Sequence, residues 1–206
     1  FFENVEELEI ESENFSASVE CKDKIAVPSC WQLYLGRGYD GPNYINQDYP
    51  YPVDPPHLPD VIPCGFYRRK LSFQKKENKK YFINFEGVAP CFYLWVNDKF
   101  IGYSQVSHCT SELDITDALI DGENKFEVLV VKWCDGSYME DQDFFRLSGI
   151  FRDVYILERA ENRITDIFID CNVAEDFPSA SIDVAPELTG AGEIEYKLYS
   201  PCGKLI

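Results

Sequence analysis

The sequence predicts an all-β protein: a jelly-roll β-sandwich over residues 1–159, then the first strands of an Ig-like sandwich over 160–206. Two observations carry the prediction. Short runs rich in aromatic and β-branched residues recur at close spacing, divided by turn residues, and no run holds the period of an amphipathic helix. After Arg159 the runs turn more polar and lose their aromatic density, which marks a boundary.

Each element follows from its own stretch. FFENVEELEIESENF (1–15) holds no convincing first strand. VPSCWQLYLGRGYDGPNYINQDYPYPVDPPHLPDVIPC (27–64) is dominated by proline, glycine and tyrosine. Proline lacks the amide that a central ladder needs, so a long loop ordered by proline and aromatic packing is expected, not a sheet. A loop of this length in a compact domain is usually disordered or functional, and its aromatic content argues against disorder. GFYRRKLSF (65–73) is a strand that leads into the charged, solvated turn KKENKK (75–80). YFINFEGV (81–88) alternates Tyr81, Ile83 and Phe85 against Phe82, Asn84 and Glu86. CFYLWVN (91–97) sets Phe92, Leu94 and Val96 on one face, and Asn97-Asp98 turns the chain into KFIGYSQ (99–105), a hairpin. SELDITDAL (111–119) reads as an edge strand or a single helical turn, DGEN (121–124) as a turn, and KFEVLVVKW (125–133) as a long buried strand. DVYILER (153–159) closes the series. RITDIFIDCNV (163–173), SASIDVAPEL (179–188) and GEIEYKLYS (192–200) are three further strands. An Ig-like sandwich needs about seven, so the second domain is expected to be incomplete at the end of the chain.

Charge removes several functions. Among 206 residues, 19 are basic and 36 acidic, a net charge of −17. Nucleic acid and anionic membrane surfaces would both be repelled, so neither is expected as a partner. No run approaches the ~20 apolar residues of a membrane-spanning helix. The eight cysteines (Cys21, Cys30, Cys64, Cys91, Cys109, Cys134, Cys171 and Cys202) form no CxxC pair. With only His57 and His108 beside them, a zinc site is not expected. They read as buried or half-buried reduced thiols, and with no signal-peptide pattern a cytoplasmic location is expected; the rival is a disulfide-linked secreted fold. The sequon Asn14-Phe15-Ser16 carries no weight in that compartment.

Three stretches together resemble one family. VPSCWQ (27–32), YINQDYPYPVDPP (44–56) and DGSYMEDQDFFRLSGIFRDVYIL (135–157) are similar to the amino-terminal sugar-binding domain of glycoside hydrolase family 2 β-galactosidases. FYLWVNDKFIGYSQ (92–105), LDIT (113–116) and GENKFEV (122–128) fit the same domain, in the same order. The chain departs from the family pattern at Cys30 and Gln47, by the insertion LGRG (35–38), and in lacking the family's L-N-G-x-W strand.

The resemblance implies a galactose-binding-domain-like jelly roll, an Ig-like second domain and a TIM barrel that carries both catalytic glutamates. Such enzymes hydrolyse terminal β-D-galactosides such as lactose with retention. The barrel lies outside these residues, so no catalytic residue is assigned here and the piece alone is expected to be inactive. The Asn of the family's Y-x-N motif falls on Asn46 and touches the sugar. The last Asp of its E-D-Q-D block falls on Asp143, which binds galactose hydroxyls and sodium. Sodium and magnesium are expected for the full-length parent, with the barrel and further copies of the enzyme as partners. Two alternatives stand beside this: a free-standing carbohydrate-binding module, and a β-glucuronidase or β-mannosidase of the same family.

The chemistry of the residues agrees with these roles. Glu140, Asp141 and Asp143 lie close in sequence, but neighbouring side chains of an extended or turning segment point apart, and nothing local marks one carboxyl as an acid. A catalytic pair is therefore not expected. A carboxylate accepts sugar hydroxyls through strong, directional bonds and is a hard donor for a cation. Phe144 and Phe145 would exclude water beside it. Asn46 offers both a donor and an acceptor, although a turn residue satisfying its own loop is the plainer reading. Glu140 and Asp141 read as partners for Arg146 or Arg152, or as solvated turn charges. Trp95 and Trp133 read as core, Trp31 is left unassigned, and His57 is given no role.

Overall fold

The computed structural model describes every residue except 9–18, 48, 141, 142, 176 and 178, and of Phe144 the backbone alone. The sequon and Asp141 therefore lie outside the described residues. The chain divides into two compact units, Phe1–Glu158 and Arg159–Ile206. No α-helix occurs among the described residues; three 3-10 turns cover Val5–Glu7, Trp31–Leu33 and Asp135–Tyr138.

The strands in chain order are β1 (Tyr44–Ile45), β2 (Cys64–Phe73), β3 (Lys79–Phe85), β4 (Val88–Ala89), β5 (Cys91–Val96), β6 (Lys99–Ser104) and β7 (Ser111–Asp114). They continue with β8 (Gly122–Val131), β9 (Phe144–Phe145), β10 (Gly149–Ile150), β11 (Val154–Ala160), β12 (Ile164–Val173) and β13 (Ala180–Leu188). One sheet runs β2-β8-β5-β6 and another β11-β3-β7. The β2–β8, β5–β8, β5–β6 and β3–β7 ladders are antiparallel.

The core lies between these two sheets. Phe92, Leu94 and Val96 of β5 meet Phe126, Val128 and Val130 of β8 and Tyr81, Ile83 and Phe85 of β3, the faces that alternation selects. The opposite face of the four-stranded sheet is covered as well: Cys91 and Trp95 with Leu129 and Val131 pack against Cys64, Phe66, Leu8, Val19 and Cys134. Glu127 of β8 is 0% exposed. Arg68 Nε donates to its Oε1 at 2.7 Å, and Lys125 Nζ lies 3.4 Å from Oε2.

The hairpin at Asn97-Asp98 forms because both residues accept the left-handed backbone, at φ 52° and 65°. The Asn97 amide locks it by donating to Ala118 O and Asn124 Oδ1, each at 2.8 Å, and accepting from Lys125 N at 2.9 Å.

Several boundaries move. DGEN is mostly strand, since Gly122, Glu123 and Asn124 pair with Phe73, Ser72 and Leu71. SELDITDAL is both of its readings in turn: β7, then a turn in which Ala118 N donates to Ile115 O at 3.0 Å. KKENKK is not wholly solvated, because Lys75 Nζ donates to Thr116 O and Leu119 O at 2.8 and 3.2 Å, and Lys79 and Lys80 belong to β3. GEIEYKLYS gains no ladder among the described residues, only a bridge from Tyr199 to Leu205, while β12 and β13 pair with each other. All eight cysteines are free, but only four are buried. Cys21, Cys109 and Cys202 sit in loops or turns and Cys171 on a β12 that is exposed throughout.

Candidate functional site

The proline-rich segment is fixed from both ends. Asp40 accepts from Trp31 Nε1 and Lys132 Nζ, and from Gln32 Nε2 at 3.4 Å. Gln32 Oε1 in turn accepts from Ser148 N at 2.8 Å, and Ser29 N donates to Ile150 O at 2.7 Å. Gly149, at φ 135°, permits this approach, since a Cβ there would stand 2.7 Å from Ser29 O. Trp31 is thus a buried anchor for the loop. Farther along, Tyr138 OH donates to His57 O at 2.7 Å, and Tyr49 OH donates to Tyr138 O at 2.7 Å. Tyr51 lies edge-on to Trp133 at 5.0 Å, so Trp133 is both buried and part of the loop's support. Aromatic packing does order this segment. The expectation that it joins no sheet needs one correction: β1 pairs antiparallel with β9, in the register Tyr44↔Phe145 and Ile45↔Phe144.

That short ladder assembles the site. Asp143 precedes β9 at φ 40°, a conformation Asp tolerates better than most residues. Tyr44 OH donates to Asp143 Oδ1 at 2.5 Å. The carboxylate raises the Tyr44 pKa above its ordinary value, with a smaller push from burial, while Asn46 lies close enough to act on the same hydroxyl in the opposite direction. Asp143 is thus tied through one phenol to the loop that carries Asn46. Tyr44 was not singled out from the sequence; it opens β1, and Asn46 lies in the bend that follows that strand. The surroundings are open and aromatic: Tyr44 and Phe145 are 51% and 53% exposed, and their rings lie 5.3 Å apart.

Glu140 is held differently. Its Oε1 accepts from Ser107 Oγ at 2.8 Å, and its main-chain carbonyl accepts from Arg146 Nη1 at 3.4 Å. Of the reading given to Glu140 and Asp141, the described part is this: the Glu140 carboxylate takes Ser107, and Arg146 meets the Glu140 main chain. Arg152 reaches main-chain oxygens of His108 and Glu86, at 2.9 and 3.4 Å. His57 is exposed.

The donor set at Tyr44, Asn46 and Asp143 is all oxygen and carries one negative charge. That chemistry fits a hard monovalent cation. Among the described residues no group of three or more His, Cys, Asp or Glu is placed to hold a metal. A cavity of about 1290 Å³ runs along β2 past Phe1, Arg68, Ile83 and Val128, and none of the three site residues lines it.

An antiparallel sandwich whose ordered loops present aromatic rings and oxygen donors has the make-up of a ligand-recognition domain. The chain belongs to glycosyl hydrolases family 2: residues 1–160 match that family's sugar binding domain. It is 47% identical over 206 residues to a β-galactosidase of Staphylococcus xylosus, covering 99% of this chain and 20% of that protein. It is 48% identical over 181 residues to a β-galactosidase of Actinobacillus pleuropneumoniae, covering 87% and 18%. Among solved structures it resembles a β-glucuronidase of an uncultured Clostridium sp., with a TM-score of 0.61 and 21% identity over 86% of this chain and 30% of that one. That last likeness is one of fold. The chain spans about one fifth of the length of the curated relatives it matches.

Proposed function

We propose that this chain is the amino-terminal part of a retaining β-galactosidase that hydrolyses terminal β-D-galactosides such as lactose. Its part is recognition. The Tyr44–Asp143 bond, which with the β1–β9 ladder ties Asp143 to the loop that carries Asn46, is the observation that carries the reading. Tyr44 holds Asp143 Oδ1, which leaves Oδ2 for a sugar hydroxyl or a sodium ion, where a charge-assisted bond is strong. Asn46 supplies a donor and an acceptor to a hydroxyl that is itself both. Phe145, beside the Tyr44 ring, offers an exposed apolar face next to these oxygens.

Cleavage with retention needs two carboxyl groups ~5–5.5 Å apart. Here Glu140 and Asp143 are held by separate partners, Ser107 and Tyr44. The bond-breaking pair is assigned to a barrel outside these residues, and magnesium, if used, to the same longer protein. Residues 1–159 are read as a jelly roll and 160–206 as the opening of an Ig-like domain, in an oligomeric, cytoplasmic enzyme. The β-galactosidase name is shared by relatives 47% and 48% identical, which favours this substrate over a glucuronide or mannoside.

The test is Asp143→Asn in the barrel-containing protein. Asn keeps the backbone conformation and removes the charge. We expect kcat/KM for a nitrophenyl β-galactoside to fall about 100-fold at unchanged thermal stability, in line with the loss of a charged hydrogen bond to the substrate. Undiminished turnover would overturn the assignment.

A further inference from the structure

A buried hydroxyl stands behind the site. Ser107 lies in the turn between β6 and β7 and is 1% exposed. Its Oγ is 2.8 Å from Glu140 Oε1 and 2.7 Å from His108 Nδ1. A serine has one hydroxyl proton to give, and a carboxylate only accepts. Ser107 therefore donates to Glu140, and the His108 ring donates to Ser107, which places the ring proton on Nδ1. The three side chains form a directed chain from His108 Nδ1–H through Ser107 Oγ–H to Glu140 Oε1. Its outer end is anchored too: Arg152 Nη1 donates to His108 O at 2.9 Å, and the His108 and Phe151 rings lie 5.2 Å apart.

Glu140 and Arg146 flank Asp143, each three residues away in the chain. Arg146 Nη1 donates to Glu140 O at 3.4 Å, and Arg146 N donates at 2.8 Å to the carbonyl of Asn43, the residue before Tyr44. Glu140 is thus fastened by its side chain to Ser107 and by its main chain to the arginine that meets the start of β1. The fastenings nearer Asp143 are weaker. The β1–β9 ladder is two residues long, Tyr44 is half exposed, and Asp143 holds a left-handed backbone. Short isolated strand pairs are marginal in water, and water competes for an exposed phenol. The Ser107–Glu140 bond starts from a side chain sealed from solvent, so water contests it less.

We propose that Ser107 is a positioning residue for this site: through Glu140 it sets the stretch that carries Asp143 where that carboxylate meets its ligand, which rests on the reading of Asp143 as the group that binds a galactoside or sodium. Ser107 itself touches no ligand. His108 serves it by filling the acceptor side of the hydroxyl, so that the serine proton is committed to Glu140. A ligand group displaced by about 1 Å can cost about 100-fold in rate. Here Arg146 still holds the Glu140 main chain when the serine is lost, so the cost should be smaller, about 10-fold, the worth of one hydrogen bond to a carboxylate.

The test has a kinetic and a spectroscopic arm. In the barrel-containing protein, Ser107→Ala and Glu140→Ala should each lower kcat/KM for a nitrophenyl β-galactoside about 10-fold, and neither should lower it further in an Asp143→Asn background. A merely structural role would remove the same factor in both backgrounds and would overturn the proposal, as would undiminished turnover in either single variant. Normal turnover of Asp143→Asn would defeat the reading of that residue and the proposal with it. An impaired Asp143→Asn beside an unimpaired Ser107→Ala would defeat the proposal alone. In the 206-residue chain, nitrogen NMR of the neutral His108 ring should show the Nδ1–H tautomer. Glu140→Ala frees the serine proton for Nδ1 and should move the ring to the Nε2–H form. An Nε2–H ring in the natural chain, or a tautomer that ignores the loss of Glu140, would also overturn it.

Discussion

Asp143 and Tyr44 hold each other, and the bond has a definite pH signature. A carboxylate accepting from a phenol raises the phenol's pKa, as it does for Tyr44. A group whose folded pKa is raised adds stability that is fully present below its unfolded value and is lost as pH rises through the folded value. The Tyr44–Asp143 bond should therefore persist through neutral pH and fail only above the ordinary tyrosine range of about 10. A difference titration of phenolate absorbance between the natural chain and Tyr44→Phe should show the missing component above about 10; a component at or below it would mean that the bond does not form. At this scale the sequence was informative where a motif was long. Asp143 and Asn46 were reachable through the family resemblance. Tyr44 and the Ser107 partner of Glu140 were not, because each contact joins residues far apart in the chain.

Among the elements, β8 carries the heaviest burden, since it is buried on both faces. Its middle residue, Glu127, is a fully buried carboxylate that depends on Arg68 of β2 and on Lys125. Glu127→Ala removes the carboxylate that Arg68 and Lys125 share, while Arg68 keeps its bond to Val19 O, so the loss should be about 1.5–3 kcal/mol, that of a charged hydrogen bond. Urea unfolding measures this; a loss below about 1 kcal/mol would show that water, not the pair, satisfies the guanidinium. The hairpin at Asn97-Asp98 and the inward faces of β3 and β5 were legible because their signals are local. The β1–β9 ladder was not: two-residue strands 99 positions apart leave no alternation to read. GEIEYKLYS shows the converse. Its composition suits a strand, but a strand exists only where a neighbour offers its edge.

For the whole molecule, stability and function are unevenly spread. Every buried hydrophobic residue among those described lies between Leu8 and Ile150, inside the unit Phe1–Glu158. β12 is exposed along its whole length, and β13 nearly so. Two strands with little buried surface are marginal on their own. Amide hydrogen exchange should find β5 and β8 protected to the global unfolding limit and β12 and β13 exchanging at least 100-fold faster. Equal protection would mean that the second unit is held by burial that these strands do not display. The family assignment and the all-β class were legible from the sequence, since long specific blocks and strand periodicity both survive in it. Half of the cysteine burial was misjudged, because whether a thiol meets the core depends on how a loop returns to the sheet.

The central claim is that this chain recognises a galactoside and leaves its cleavage to polypeptide outside these residues. Incubating the purified 206-residue chain with a nitrophenyl β-galactoside tests it most directly. The account predicts no nitrophenolate above the buffer rate at any chain concentration. Release that scales with chain concentration and disappears in Asp143→Asn would contradict it.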